Sequence, residues 1–203
     1  MTRLLLATRN GKKLDELRRI LAAEGIAGLD VIGLGDVEPF DEAPETEPTF
    51  EGNALAKARD AVAATGLAAV ADDSGLTVAA LNDMPGVLSA RWAGRHGDDE
   101  ANLRLVLDQL TDVPDDRRDA AFVCAAALVT PDGSETVVRG RWPGSLTRAP
   151  RGENGFGYDP IFVPDGEQRT SAELGSDEKD ALSHRGRALR ALLPHLRALA
   201  GSG

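Results

Sequence analysis

The sequence has little that is typical of an exported or membrane-bound protein. It contains one cysteine, Cys124, in 203 residues, so no disulfide can form within the chain. Cys124 lies in the apolar run 121–129, which predicts a buried and unreactive thiol. No apolar run approaches the ~20 residues of a membrane-spanning helix, and the N-terminus meets a charge too soon for a secretory signal. We therefore expect a cytoplasmic protein without a membrane partner.

Positive charge is scarce overall and missing from one segment. The formal net charge is -10, which makes the surface a poor partner for a nucleic acid, although a local basic pocket can still hold a small phosphate ligand. Residues 36–51 contain many carboxylates, three prolines and no Lys or Arg, which predicts an acidic loop. Residues 183–198 contain four arginines and no acidic residue. Solvated surface is the ordinary interpretation of such runs.

Hydrophobic periodicity predicts an α/β fold with a mixed central sheet flanked by helices. Helices and strands alternate early, and Pro131-Asp132-Gly133 is typical of a later hairpin turn. We expect a strand to end at Ala71, a loop over 142–159 and a last helix over 177–199. The length suits a single domain, 1–203, with two lobes. The other predicted strands are 3–8, 31–34, 121–129, 134–141 and 160–163, and the other predicted helices are 12–24, 50–65 and one capped by Asp98-Asp99.

The segment Val70–Val78 places two adjacent carboxylates at the end of an apolar run. Asp, Ser and Gly are common in turns, so the residues alone favour a turn after a strand. The carboxyl end of a strand is also where α/β proteins place ligands, and Mg²⁺ prefers carboxylate oxygens. In an extended chain Asp72 and Asp73 point in different directions, which predicts separate roles for them. The turn and the metal site both remain open on this basis.

The segment Ala7–Lys13 joins a predicted strand to the start of a helix. Free backbone N–H groups and the positive end of the helix dipole attract anions at such a place. Thr8 and Asn10 add short hydrogen-bonding side chains, and Lys13 adds a positive charge. The segment lacks the glycine spacing of a P-loop. A cap by Asn10 with exposed lysines explains the same residues equally well.

Three further segments carry side chains that suit a nucleotide. The acidic loop offers Glu42 and Glu45 as metal ligands without choosing between them. The segment 155–159 places Phe156 between two glycines, which suits stacking on a base or, alternatively, packing into the core. The segment 179–185 offers a lysine and a serine four residues apart, followed by a histidine and an arginine. Together these features suggest a site for a nucleotide polyphosphate.

Six short motifs carry a resemblance to a known family. The chain contains, in this order, LLLATRNGKKLDEL, PTFEGNALAKA, ADDSGL, PGVLSARWAG, FGYDPIF and SHRGRAL. Together they resemble the inosine/xanthosine triphosphate pyrophosphatase family over nearly the whole chain. The resemblance implies an elongated, two-lobed fold with an active-site cleft between the lobes, and a homodimer. It also implies a Mg²⁺-dependent hydrolase that converts ITP, dITP and XTP to the monophosphate and pyrophosphate.

The resemblance also implies roles for individual residues. Asp73 matches the general base and a metal ligand, and Glu45 matches the second metal ligand. Pro44–Glu47 departs from the usual Glu-Glu-Thr-Gly, and Gly52 stands where the family often has Glu. The implied substrate-binding residues are Thr8, Arg9, Asn10, Gly11, Lys12, Lys13, Ser74, Phe156, Gly157, Tyr158, Asp159, Lys179, His184 and Arg185.

The implied mechanism is metal-assisted attack of water on the α-phosphorus. Asp73 orients and deprotonates the water, and Lys13 and Lys179 stabilise the pyrophosphate leaving group. Donors at His184 and Arg185 pair with the 6-oxo group of the base. Two alternatives are a pyrophosphatase of related fold for modified pyrimidine nucleotides or dUTP, and a non-catalytic nucleotide sensor. The retained carboxylates count against the sensor.

Overall fold

The structure is a computed structural model that describes residues 1–41 and 44–201, without the side chains of residues 176, 177 and 180. Short 3₁₀ turns join several of the elements. The helices and strands are β1 (Thr2–Leu6), α1 (Gly11–Ala23), β2 (Leu29–Gly33), α2 (Phe50–Thr65), β3 (Ala68–Val78), β4 (Met84–Pro85), α3 (Asp99–Gln109), β5 (Asp119–Val129), β6 (Glu135–Leu146), β7 (Phe162–Pro164), α4 (Ser176–Leu182) and α5 (His184–Gly201).

The strands form one mixed sheet. Their order is β2-β1-β3-β5-β6-β7, with β4 paired to β3. Strand β1 runs parallel to both neighbours, with Leu4 opposite Val31 of β2 and Ala68 of β3. Strand β4 is antiparallel to β3, and β7 is antiparallel to β6. The predicted α/β class with a mixed sheet and flanking helices is confirmed.

The chain divides into two compact units. Unit 1 comprises Met1–Asp73, Cys124–Gly140 and Arg185–Gly203, and unit 2 comprises Ser74–Val123 and Arg141–His184. Strands β3, β5 and β6 each contribute residues to both units. The first boundary falls inside β3, directly after the two aspartates. The prediction of one domain with two lobes stays a prediction.

In unit 1, β1 sends alternate side chains into two different layers. Leu4 packs with Leu17 of α1 and Leu192 of α5. Leu5, the next residue of the strand, packs with Ala61 of α2. Successive side chains of a strand point to opposite faces, so α1 and α5 cover one face of the sheet in this unit and α2 covers the other. A fully buried leucine stabilises such a layer by roughly 1.5–3 kcal/mol.

The core of unit 2 contains a cluster of aromatic side chains. The Phe122 and Phe162 rings meet edge to face with centroids 4.7 Å apart, and the Trp142 ring lies 5.4 Å from Phe162. Such offset arrangements are the favoured geometry of aromatic pairs. Helix α3 contributes Leu103 and Val106 to the same core.

The helix ends follow the predicted capping residues. The Asn10 side chain accepts a hydrogen bond from the Lys12 N–H at the start of α1, and Asp98 accepts one from Ala101 at the start of α3. Helix α2 has the predicted bounds and ends at Gly66, which adopts the left-handed conformation with φ 68°. These caps explain where α1 and α3 begin and where α2 ends.

Three sequence predictions about local structure were wrong. The motif 72–75 is not a turn, because β3 continues through it and pairs with β4 beyond it. Strand β6 extends into the predicted loop at 142–146, because its end pairs with β7. The predicted last helix is interrupted at Ser183, which has φ -61° and ψ 154°. In the two strand cases, pairing within the sheet overrides turn-forming residues.

Two features of the structure bear on the expected compartment, the Cys124 thiol and the character of the helices. Cys124 is fully buried in β5, and burial raises the pKa of its thiol, as expected for an unreactive cysteine. Among the helices of residues 1–41 and 44–201, none has both the length and the apolar character needed to cross a bilayer.

Candidate active site

The turn between β1 and α1 carries the first predicted segment. The Asn10 N–H donates to Thr8 Oγ1 at 3.1 Å, and Asn10 Oδ1 accepts from the Lys12 N–H at 3.0 Å. Thr8 is half-buried, and residues 9–12 are exposed. The first turn of α1, all of it described, contains no acidic side chain, so nothing there neutralises the positive helix end. The turn is therefore both capped by Asn10 and attractive to an anion.

Asp72 points to the face of β3 that α1 and α5 cover. Its carboxylate accepts hydrogen bonds from the Lys13 ammonium at 2.8 and 3.0 Å and from Arg185 Nε at 3.3 Å. Burial alone would raise the pKa of Asp72, but Lys13 and Arg185 outweigh it and hold the pKa well below its ordinary value. Asp72 is therefore ionised, and it aligns one cation from each of two helices.

Asp73, the next residue, points to the opposite face, which α2 covers. Its Oδ2 accepts a hydrogen bond from Asn53 Nδ2 at 2.9 Å, and Lys57 Nζ lies 3.3 Å from its Oδ1. Burial raises the pKa of Asp73, although Lys57 and Asn53 offset part of that effect. The predicted divergence of the two aspartates is confirmed, and it follows from strand geometry rather than from a turn.

Lys57 lies between two carboxylates of unit 1. Its ammonium forms ion pairs with Glu45 Oε1 and with Asp73 Oδ1. Burial alone would lower the pKa of Lys57, but Asp73 and Glu45 outweigh it and raise the pKa. Glu45 and Asp73, the predicted metal ligands, therefore converge on one positive charge, and oxygen ligands of this kind suit Mg²⁺.

The convergence on Lys57 is the feature that fits a bound cation. Glu42, the other acidic candidate, lies outside the described residues. Within the described part of the chain, no cluster of three or more His, Cys, Asp or Glu side chains could hold a metal. A divalent ion at Glu45 and Asp73 would thus need further ligands from water or from a bound phosphate, as Mg²⁺ commonly has.

Gly52 accounts for the path of the segment that carries Glu45. The Glu47 N–H donates to Asn53 Oδ1 at 3.0 Å, and a Cβ atom on Gly52 would lie 2.8 Å from the Glu47 Cβ. A larger residue at position 52 would push this segment away from α2. Glycine at position 52, where the sequence departs from the family pattern, therefore leaves room for Glu47 to lie close to α2. Asn53 accepts a hydrogen bond from the Glu47 N–H and donates one to Asp73, so it links this segment to Asp73.

Unit 2 contains the Phe156 loop, defined here as Gly155–Asp159. The Phe156 side chain is 67% exposed. Tyr158, in contrast, is buried and donates a hydrogen bond to the Ser89 carbonyl at 2.8 Å. Burial raises the pKa of Tyr158, so its hydroxyl remains a donor. The packing role thus applies to Tyr158, whereas the exposed Phe156 ring has the surface needed for stacking.

Asp159 organises the Phe156 loop from inside. Its carboxylate accepts hydrogen bonds from the Phe156 N–H and from Ser171 Oγ, both at 2.8 Å, and it pairs with the Lys179 ammonium. A Cβ on Gly155 would lie 2.1 Å from Asp159 Oδ2, and Gly155 has φ +79°, so only glycine fits there. The Lys179 ammonium lies 5.3 Å from the centre of the Phe156 ring.

The break between α4 and α5 places the remaining predicted residues. The Ser183 N–H donates to the Lys179 carbonyl at 2.8 Å, which ends α4. His184, the next residue, stacks on Phe122 with ring centroids 5.0 Å apart and an angle of 13° between the rings. Ser74 is half-buried in β3. The predicted substrate-binding residues of unit 2 are therefore Ser74 in β3, residues 156–159 of the Phe156 loop, Lys179 in α4 and His184 at the start of α5.

Sequence reasoning missed four side chains that hold predicted site residues. Asn53 and Lys57 contact Asp73, Ser171 contacts Asp159, and Asp99 contacts the Phe156 loop. A signal existed for the first two, because they lie four residues apart in the motif EGNALAKA and therefore on one face of α2. Ser171 and Asp99 lie outside the six motifs, and the local sequence marks Asp99 only as part of a helix cap.

An α/β sheet with two divergent aspartates, together with the six ordered motifs, agrees with one known class of protein. Residues 4–195 match the Ham1 family, and the chain belongs to that family. It is 68% identical to the dITP/XTP pyrophosphatase of Nocardia farcinica (strain IFM 10152) over 200 residues, which cover 98% of this chain and 97% of the relative. It is 66% identical over 200 residues to the dITP/XTP pyrophosphatase of Mycobacterium tuberculosis (strain ATCC 25618 / H37Rv), with 98% of each chain covered.

Solved structures agree with this assignment. The structure of a HAM1 protein from Coxiella burnetii has a TM-score of 0.89 and 42% identity, covering 98% of this chain and 100% of that one. The nucleoside-triphosphatase / dITP/XTP pyrophosphatase of Mycobacterium abscessus has a TM-score of 0.82 and 64% identity, covering 95% of this chain and 100% of that one. The resemblance drawn from the sequence is confirmed.

Proposed function

We propose that this chain hydrolyses the non-standard purine nucleoside triphosphates ITP, dITP and XTP to the monophosphate and pyrophosphate. The observation that carries the proposal is the opposed setting of Asp72 and Asp73 on β3. One carboxylate is committed to two cations, and the other faces Lys57 and Glu45 with a raised pKa. The curated relatives above, which match nearly the full chain, are dITP/XTP pyrophosphatases.

Asp73 is the proposed general base. Its carboxylate takes a proton from the water that attacks the α-phosphorus. The new bond joins the water oxygen to that phosphorus, the bond to the bridging oxygen breaks, and pyrophosphate leaves. A carboxylate with a raised pKa is a better proton acceptor than an exposed one, and burial produces that shift at Asp73. Asn53 fixes the orientation of the carboxylate through Oδ2.

Cations of the chain itself hold the phosphates in this proposal. Thr8, Asn10 and Lys13 lie at the uncompensated N-terminal end of α1, and Asp72 holds the Lys13 ammonium in place. Lys179 of α4, whose ammonium pairs with Asp159, is the second cation that the resemblance implies. Glu45 and Asp73 would hold Mg²⁺, which would supply positive charge to the phosphate oxygens and acidify a water molecule. Charge that is positioned in advance lowers the barrier because no reorganisation is needed during the reaction.

The residues proposed to recognise the base lie in unit 2. The exposed Phe156 ring provides a stacking surface, and His184 is held flat against Phe122. A donor from His184 would pair with the 6-oxo group and would meet the 6-amino group of adenine badly, and such a mismatch rejects an analogue strongly. Arg185, the other predicted base contact, has its Nε committed to Asp72, so we assign it to positioning that carboxylate.

A homodimer and a cytoplasmic location remain predictions from the resemblance and the composition. The size of the particle in solution, measured by light scattering, tests the first. A mass near that of one chain, 21.4 kDa, would exclude the dimer.

A substrate panel with two phosphate readouts tests the function. We expect purified protein with Mg²⁺ to release pyrophosphate, and no orthophosphate, from ITP, dITP and XTP, with kcat/KM at least about 100-fold above that for ATP. Preference for dUTP or a modified pyrimidine nucleotide would support the alternative substrate class. Binding without turnover would support the sensor.

Asp73→Asn should lower kcat about 100-fold or more, and a near wild-type rate would show that Asp73 is not the base.

A further inference from the structure

The peptide groups on both sides of the Phe156 Cα are held by carboxylates. The Phe156 N–H donates to Asp159 Oδ2 at 2.8 Å, and the Gly157 N–H donates to Asp99 Oδ2 at 2.9 Å. The two peptide planes that flank a Cα define φ and ψ of that residue. Asp159 therefore fixes one side of Phe156 from within the loop, and Asp99 fixes the other side from the first turn of α3.

Residues 155–157 depend on these two bonds more than Tyr158 and Asp159 do, because the side chains of those two residues are buried. Glycines at 155 and 157 have φ +79° and +61°, and a glycine backbone has wide conformational freedom. Between α3 and the loop lies a cavity of about 710 Å³, lined by Leu103 and Leu107 and by residues 155–157. Packing against α3 is therefore incomplete at this place, and the Asp99 hydrogen bond joins the helix to the loop at the edge of the cavity.

We infer that Asp99 is a positioning residue for base recognition, acting through the Phe156 backbone. This inference rests on the proposed function, in which the Phe156 ring stacks on the purine. A ring that is fixed before the nucleotide arrives loses little freedom on binding, whereas a mobile ring must be ordered at the expense of affinity. Asp99 thus affects substrate binding and leaves the reacting groups of unit 1 unchanged.

The neighbouring Glu100 provides a matched control. Both residues are acidic and lie in the first turn of α3, so their effects on the helix dipole are similar. Glu100 pairs with Arg104 on the surface and does not contribute a hydrogen bond to the Phe156 loop among the described contacts. Comparing Asp99→Ala with Glu100→Ala therefore separates loss of the Gly157 acceptor from loss of charge at the helix end. Asp99→Asn keeps an oxygen acceptor and serves as the rescue variant.

Two measurements on the full-length protein test the inference. Asp99→Ala should raise KM for ITP about tenfold with kcat within about twofold of wild type, and amide hydrogen exchange over 155–158 should become faster. Glu100→Ala should change neither quantity, and Asp99→Asn should restore both. The thermal midpoint of each variant, compared with wild type, reports any general loss of structure.

The results that would overturn the inference are specific. One is exchange over 155–158 that matches wild type in Asp99→Ala, and another is faster exchange without a rise in KM. A fall in kcat at constant KM would also contradict it. If wild-type protein fails to turn over ITP, the proposed function fails, and the exchange experiment still reports whether Asp99 holds the loop.

Discussion

Unit 1 and the Phe156 loop of unit 2 use carboxylates in opposite ways. In unit 1, Asp72 and Asp73 project from a strand and are held by cations and an amide on three helices. In the Phe156 loop, Asp99 and Asp159 are themselves the holders, because backbone N–H groups donate to them. Charge positions side chains in the first region, whereas carboxylates position the backbone in the second. Removing a charge from unit 1 should therefore lower the stability and the reaction rate. Substitutions that affect the loop should instead lower the affinity for substrate.

Asp72→Asn should have the largest effect on stability. The change leaves Lys13 and Arg185 close together without the carboxylate that neutralises both, and removing one partner of a buried ion pair costs about 3–5 kcal/mol. Lys13 retains some exposure, so we expect about 3 kcal/mol, at the lower end. Urea unfolding of the metal-free protein at neutral pH measures the loss. Asp30→Asn, an exposed residue of β2, is the control and should change stability by less than about 0.5 kcal/mol.

The stability difference between wild type and Asp72→Asn should also depend on pH, with a defined sign. The folded-state pKa of Asp72 lies below its ordinary value of 3.8. A lowered pKa gives stability that is complete above the unfolded-state pKa and is lost as the pH falls through the folded-state value. The difference between wild type and Asp72→Asn should therefore be constant near neutral pH and narrow below about pH 4. A difference that widens on acidification would contradict the assignment.

The comparison also explains which features the sequence could predict. Both ends of helix α2 were predictable from the sequence. Its alanine-rich composition favours a helix from Phe50 onward, and Gly66 favours a helix end directly after Thr65. The opposite directions of Asp72 and Asp73 were predictable because they depend only on an extended backbone. The motif 72–75 was wrongly interpreted as a turn, because its residue types favour turns, whereas β3 stays extended as an inner strand between β1 and β5.

Partners that come from distant segments were beyond local sequence reasoning. Arg185 reaches Asp72 across 113 positions in the chain, and Asp99 reaches Gly157 across 58. No periodicity reports such contacts, since helical and strand patterns relate residues only a few positions apart. The resemblance indicated the residues that meet substrate, and the structure added the residues that hold them. The side chains that were missed are therefore mainly positioning residues.

Phe156→Ala should separate the two regions most clearly in binding. The ring is largely exposed, so its loss should change the free energy of unfolding by less than about 0.5 kcal/mol. Base–aromatic stacking is worth about 1–3 kcal/mol, so KM for ITP should rise about tenfold or more. Phe156→Tyr keeps a ring and should retain the wild-type KM. A large loss of stability with unchanged KM would assign Phe156 to packing instead, and the contrast with unit 1 would disappear.

Lys12→Ala should have the smallest effect, and it tests whether charge in unit 1 acts only through fixed pairs. Lys12 is exposed beside the uncompensated start of α1, whereas Lys13 is held by Asp72. An exposed charge contributes weakly, so KM for ITP should rise about twofold. The difference should vanish in about 1 M salt, where the Debye length is about 3 Å. Arg3→Ala removes the same charge from the start of β1, away from the turn, and should leave KM unchanged. An effect of Lys12→Ala that resists salt would mean that Lys12 makes a direct phosphate contact, and the distinction between held and free cations in unit 1 would then fail.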